Sequence, residues 1–357
     1  MKLLEPMKLG GIKLKNRMVM APMTRSRADH DGIVNDLIKR YYVQRASAGL
    51  IISEGVNISE QAKGNPFTAG LYNKKQINAW KDVTNAVHEE GGVIYAQLGH
   101  TGRVGHSVDK NGQLPVAPSA IAAEGQHFTT QGMKEFETPR ELTVPEIKAI
   151  IQDFGQAARN AMEAGFDGVE LHASNGYLAN QFLADSSNYR SDEYGGSIEN
   201  RNRFVVEVMQ ALVDAIGPNK VGIKIAPTNP ANSIVFENPV KQFDHLIGIL
   251  DKMPLSYVHL MHNDPAFPHI PHYPKNVIET FGTKINHTLI ANTAYTRETA
   301  EAELQEGTVH MISFASLFLA NPDLPQRFET GAKLNKPDSE TFYYGEERGY
   351  TDYPFLA

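Results

Sequence analysis

The amino-acid sequence predicts an α/β fold, a TIM (β/α)8 barrel with an N-terminal hairpin and a long excursion after the third strand. Three observations carry that expectation. Eight apolar runs of strand length recur along the chain, each followed by a helix pattern or an irregular excursion. The runs are apolar without alternation, as in strands buried on both faces of a parallel sheet. A length of 357 residues is long for an ordinary domain but suits one barrel with an insertion. The whole chain, 1–357, is therefore expected to form a single domain, with 100–143 as the excursion and 331–357 as a C-terminal tail.

In order, residues 1–17 place Gly10-Gly11 between two short alternating stretches, which reads as a hairpin. The first barrel strand is expected in MVMAPMTR (18–25). A helix pattern over 37–49 stops at Gly49, a predicted C-cap, and GLIISEGV (49–56) supplies the second strand. A helix over Lys74–Glu90 precedes VIYAQLG (93–99). Residues 100–143 are rich in Gly, Pro, Ser, His and Thr and predict a loop carrying a small hairpin. A helix (Pro145–Ala164) then leads to GVELHA (Gly168–Ala173), and another (Ser197–Ile216) to VGIKIAP (221–227). The pattern continues with Val240–Asp251 before YVHLMHN (257–263) and a helix near Lys275–Phe281 before TLIANT (288–293). Arg297–Glu306 precedes HMISFAS (310–316), and a last helix covers about Asp323–Thr330.

Composition excludes several functions. The chain is 41% hydrophobic and 21% charged, with a net charge of −7 and no long charge runs. Neither nucleic acid nor an anionic membrane is an expected partner. The absence of cysteine rules out disulfides, thiolate metal sites and a cysteine nucleophile. With no secretory pattern at MKLLEPMKLG, a cytoplasmic location is expected. Neither G-x-G-x-x-G opening a βαβ unit nor G-x-x-x-x-G-K-[ST] is found.

Function in a barrel gathers at the C-terminal ends of the strands. Those ends carry Pro22, Met23 and Thr24; Glu54 and Gly55; Gln97 and Gly99; His172 and Asn175; Lys224; His259 and His262; Asn292 and Thr293; Ala315 and Ser316. This ring is polar, has one fixed cation, and lacks a carboxylate cluster, which favours a planar hydrogen-bonding heterocycle over hydrolysis. The stretch after GVELH adds chemistry. His172 and Asn175, three apart across a strand end, can both donate to one carbonyl or phenolate oxygen. Tyr177 adds a weak acid suited to protonating an electron-rich carbon.

Several segments together carry a resemblance: APMTRSRA, YYVQRASAGLIISEG, QLGHTGRVGH, VAPSAI, TPREL, GFDGVELHASNGYLANQFLADSSNYRSDEYGGSIENR, NPDLPQRF and GYTDYP. In this order, over nearly the whole length, the chain resembles the Old Yellow Enzyme family of FMN-dependent ene-reductases. Thr24 and the lack of cysteine place it nearer the classical, N-ethylmaleimide reductase-like branch. The resemblance implies FMN at the barrel mouth, NADPH or NADH as hydride donor, and reduction of activated alkenes such as enones, maleimides and nitroalkenes. It further implies that His172 and Asn175 hold the substrate oxygen and that Tyr177 is the proton donor. Thr24 would bond flavin O4, Pro22, Met23 and Gly55 would line the ring, and Gln97 would meet the pyrimidine edge.

Departures from the family pattern concern the cofactor. Lys224 stands where the family usually has arginine near flavin N1 and O2, keeping the charge and losing the planar fork. Ala315 and Ser316 replace the glycine and arginine that hold the FMN phosphate, and Asn292-Thr293 replaces a form with glycine at strand seven. Gly99 stands where many members carry tryptophan, which enlarges the substrate pocket. Two other readings stay open from the residues: a flavin-poor barrel doing non-redox enol–keto chemistry, and a barrel that only binds a small ligand. His259, His262, His269 and His272 invite a metal reading, but a proline-stiffened loop covering the substrate is the expectation there, with no metal.

Overall fold

The computed structural model describes residues 1–356. Eight parallel strands close into a barrel in sequence order: Met18–Met20, Leu50–Asn57, Ile94–Gly99, Gly168–Ala173, Val221–Ile225, Tyr257–Met261, Thr288–Asn292 and Met311–Phe314. The first strand pairs with the eighth and the second, so no edge is left open. Helices from Lys74–Glu89 to Leu324–Thr330 surround it.

Strand alternation sets what the barrel interior holds. Val19, Leu50, Ile52, Tyr95, Tyr257, Ile290 and Met311 form one buried cluster with Leu9 and Leu14 of the N-terminal hairpin, Met7–Leu9 and Ile12–Leu14. The hairpin thus plugs the N-terminal end of the barrel, leaving the other end for a site. A Cβ at Gly168 would meet the Tyr95 ring at 2.4 Å, and one at Gly222 the Tyr257 ring at 2.4 Å. Those two glycines make room for two tyrosines. Further up, the same parity carries Gln97, Glu170, His172, Lys224, His259 and Ser313, all nearly or fully buried.

The helices start where the sequence signals them. Asn73 and Thr143 make capping boxes with Gln76 and Glu146, and Ser197 caps the helix Ile198–Ile216. One stop differs. The helix Asp36–Gln44 ends at Arg45 rather than at Gly49. At that stop the buried Arg45 guanidinium donates to the carbonyls of Phe318, Leu319 and Tyr350, which lie outside the helix. The helix expected near 275–281 is reduced to Val277–Thr280 followed by a 3-10 turn. Two helices, Leu178–Leu183 and Ser316–Ala320, are too short to show a period in sequence.

The excursion carries the expected hairpin, Gln126–Thr129 with Gly132–Glu135. The tail packs on the barrel. Arg25 Nε donates to Phe342 O at 2.9 Å, and Arg27 Nη2 donates to Thr341 O and Tyr344 O at 2.8 and 2.7 Å. Tyr350 stacks on Tyr41 with ring centroids 4.0 Å apart. These contacts bring Phe342 and Tyr343 to the barrel mouth.

Candidate active site at the barrel mouth

A cavity of about 520 Å³ opens at the C-terminal end of the barrel. The first strand and its loop contribute Pro22, Met23 and Thr24; the third, Gln97; the fourth and its loop, His172, Asn175 and Tyr177; the fifth, Lys224. Asn292, Ala315 and Ser316 stand at the ends of the seventh and eighth strands. Gly55 lines a small adjoining recess shared with Thr24, His172 and Tyr177. Thr293 is not part of the lining. Its backbone lies at φ 91, and its hydroxyl donates to Asn292 Oδ1 at 3.3 Å. A larger cleft of about 780 Å³ lies away from the mouth among lysines, aspartates and other polar side chains. Size does not make it the site: its Lys63 and Lys110 are bonded to backbone carbonyls, and it lies off the strand C-terminal ends where barrel sites gather.

His172 is held neutral and in one tautomer. The Ser174 backbone N–H donates to its Nδ1 at 3.4 Å, with Ser174 Oγ at 3.2 Å. A backbone amide can only donate, so the ring proton sits on Nε2. Burial, reinforced by the Lys224 charge, pushes the imidazole down to about 3. Asn175 adopts a left-handed backbone, φ 56, and its Oδ1 is buried without a partner in the chain. That oxygen can only accept, so the part of Asn175 able to meet a ligand oxygen is its amide N–H.

Tyr177 packs its ring 4.6 Å from that of His172. Asn65 Nδ2 donates to its hydroxyl at 3.4 Å, leaving the phenolic proton free. Burial raises its pKa above the ordinary 10.0, so Tyr177 keeps its proton at neutral pH. Lys224 is buried, and no carboxylate lies within 4.0 Å of it among the described residues. Desolvation lowers its ammonium from the ordinary value, opposed by Glu170.

Beneath the cavity runs a buried chain. Gln97 Nε2 donates to Glu170 Oε1 at 2.8 Å. Glu170 Oε2 meets His259 Nδ1 at 2.9 Å, and His259 Nε2 meets Ser313 Oγ at 2.7 Å. Burial alone would raise the Glu170 carboxyl, but His259, Lys224 and the Gln97 hydrogen bond overcome it and hold it below its ordinary value. His259 is therefore engaged inside the barrel. His262 goes to Tyr295 OH at 2.7 Å and His272 to Phe236 O at 3.0 Å. No three His, Asp or Glu side chains converge to hold a metal among the described residues.

The donor set fits a flavin ring. Gln97 turns its amide N–H toward Glu170 and so leaves Oε1 as an acceptor at the cavity, while Lys224 offers a cation. A Cβ on Gly55 would come no closer than 3.6 Å to Gln97 Oε1 and 4.0 Å to His172, so that wall stays open to a flat ligand. At the seventh and eighth strand ends the lining offers Asn292, Ala315 and Ser316 but no cation.

Sequence reasoning missed Asn65, Met261, Asp264, Phe342 and Tyr343 as lining residues, and with them Ala21, Leu319 and a second cation, Arg25. Apart from Met261, which ends the sixth strand, and Leu319 in a short helix, they come from loops and the tail, where no period marks them. Glu170 was findable: a carboxylate inside a strand buried on both faces requires a partner.

Known proteins match the chain over nearly its whole length. Residues 2–335 match the family described as NADH:flavin oxidoreductase / NADH oxidase. The chain is 41% identical over 358 residues to 12-oxophytodienoate reductase 1 of Oryza sativa subsp. japonica, spanning 99% of this chain and 93% of that one. Its structure is similar to morphinone reductase in complex with tetrahydroNAD, at 44% identity and a TM-score of 0.94, covering 100% and 98% of the two chains. It is likewise similar to the Old Yellow Enzyme homologue from Zymomonas mobilis, at 39% identity and a TM-score of 0.96, with 100% of both chains covered.

Proposed function

The chain belongs to the NADH:flavin oxidoreductase / NADH oxidase family, the Old Yellow Enzyme family, and from that premise we propose that it reduces activated alkenes at the barrel mouth. It uses FMN, takes hydride from NADPH or NADH, and acts on the C=C bond of enones, maleimides or nitroalkenes. The observation that carries this reading is the set of groups left free for a ligand, Gln97 Oε1, Lys224 and the His172 ring N–H, with Asn175 beside them in the lining. FMN bound there would supply hydride acceptance and donation, which no side chain of this protein can.

The chain's own residues do the rest. Thr24, Gln97 and Lys224 hold the ring by hydrogen bonds and charge, while Pro22, Met23 and Gly55 wall it. Neutral His172 and Asn175 grip the substrate's activating oxygen, and their grip strengthens as that oxygen gains enolate charge. Tyr177, close to His172 and still protonated, gives its proton to the adjacent carbon. Asn292, Ala315 and Ser316 receive the ribityl phosphate without a cation. The cysteine-free composition supports a reducing, cytoplasmic setting.

Two measurements test this. Protein purified and supplied with FMN develops a flavin spectrum that bleaches with NADPH or NADH; a protein that takes up no flavin sinks the proposal. Tyr177→Phe slows alkene reduction roughly 10²–10⁴-fold while leaving flavin reduction nearly intact in stopped flow. Equal slowing of both half-reactions counts against Tyr177 as the acid.

A further inference from the structure

The geometry points to Glu170 as the residue that orients Gln97, and thereby makes this cavity select a ring with an N–H at its pyrimidine edge. The inference rests on the flavin reading above and adds a positioning residue to it. Glu170 is completely buried at the fourth strand, in register with Gln97 on the third. A carboxylate can only accept. The 2.8 Å contact from Gln97 Nε2 therefore settles which way the amide faces. Its Oε1 is left toward the cavity with no donor from the chain among the described residues.

Glu170 is itself kept from turning. Its second oxygen is tied to His259, and His259 to Ser313, so the sixth and eighth strands brace one carboxylate on the fourth. A carboxylate that merely filled the core would need no partner at the ligand wall. Here one oxygen is anchored and the other is aimed at a cavity-lining amide. A ligand atom facing Gln97 must then donate. The N3–H of an isoalloxazine does so; an alkylated nitrogen cannot.

The test compares two flavins on apo-protein: FMN and FMN methylated at N3. Both carry the same phosphate and the same ring charge, and the methyl meets the same wall in every variant. The ratio of their dissociation constants therefore isolates the hydrogen bond. In Glu170→Gln the neutral amide can donate or accept, so Gln97 is free to turn its N–H outward. The preference for FMN falls by about fivefold or more, through weaker FMN binding. Should Glu170→Gln not accumulate folded, His259→Leu leaves Glu170 in place but unbraced, and gives the same change in smaller measure. An unchanged ratio in whichever variant folds overturns the inference. If the unaltered apo-protein binds neither flavin, the flavin reading itself has failed, which is a separate outcome.

Discussion

The two ends of the barrel-mouth cavity are built by different means. At the third to fifth strands, Gln97, Glu170, His172 and Lys224 are all less than a tenth exposed, and a hydrogen-bonded chain crosses the barrel beneath them. At the seventh and eighth strands, Ala315 and Ser316 are exposed, and the backbone turns through Thr293 at φ 91 and Ala294 at φ 61. One end recognises by oriented, desolvated side chains. The other offers the Ser316 hydroxyl, the Asn292 amide and backbone, with solvent close by. Charge is worth most where water is excluded, so the buried end should dominate ligand binding.

The largest expected break in this comparison is at Lys224. Lys224→Met removes the buried cation that faces the ligand and one of the charges that favour ionised Glu170, so FMN binding to apo-protein weakens on the order of 100-fold. Riboflavin should weaken in parallel, since the loss is at the ring. A fall confined to FMN would move Lys224 to the phosphate.

A smaller and opposite change tests the exposed end. Ala315→Gly combined with Ser316→Arg supplies the missing cation, and tightens FMN roughly tenfold or more. Riboflavin, which has no phosphate, should hardly respond. Equal gains for both, or none, would mean that the eighth strand does not meet the phosphate.

The smallest effect is on stability alone. A β-branched residue at φ 91 is strained where glycine is at ease. Thr293→Gly relieves that strain against the entropy glycine adds to the unfolded chain, for a net gain of about 1 kcal/mol. Denaturant unfolding measures it. A lower midpoint would show that the Thr293 hydroxyl, through Asn292, is worth more than the strain.

What the sequence alone determined is whatever is written in neighbouring residues. Apolar runs set eight strands, and GVELHA matches its strand end to end, because burial on both faces needs only a local pattern. His172, Asn175 and Tyr177 lie within six positions, so their meeting at one strand end was also legible. Lys224 and Gln97 were readable once strand ends were known to face one mouth. The tertiary structure decided what joins distant residues. Gln97 and Glu170 are 73 positions apart, Glu170 and His259 are 89, and His259 and Ser313 are 54. Likewise Arg25 and Arg27 catch a tail more than 300 residues away, which sets Phe342 and Tyr343 over the cavity. No local period encodes such partners. Barrel closure brings their strands together, and the cost of an unpaired buried charge or amide then selects who bonds to whom.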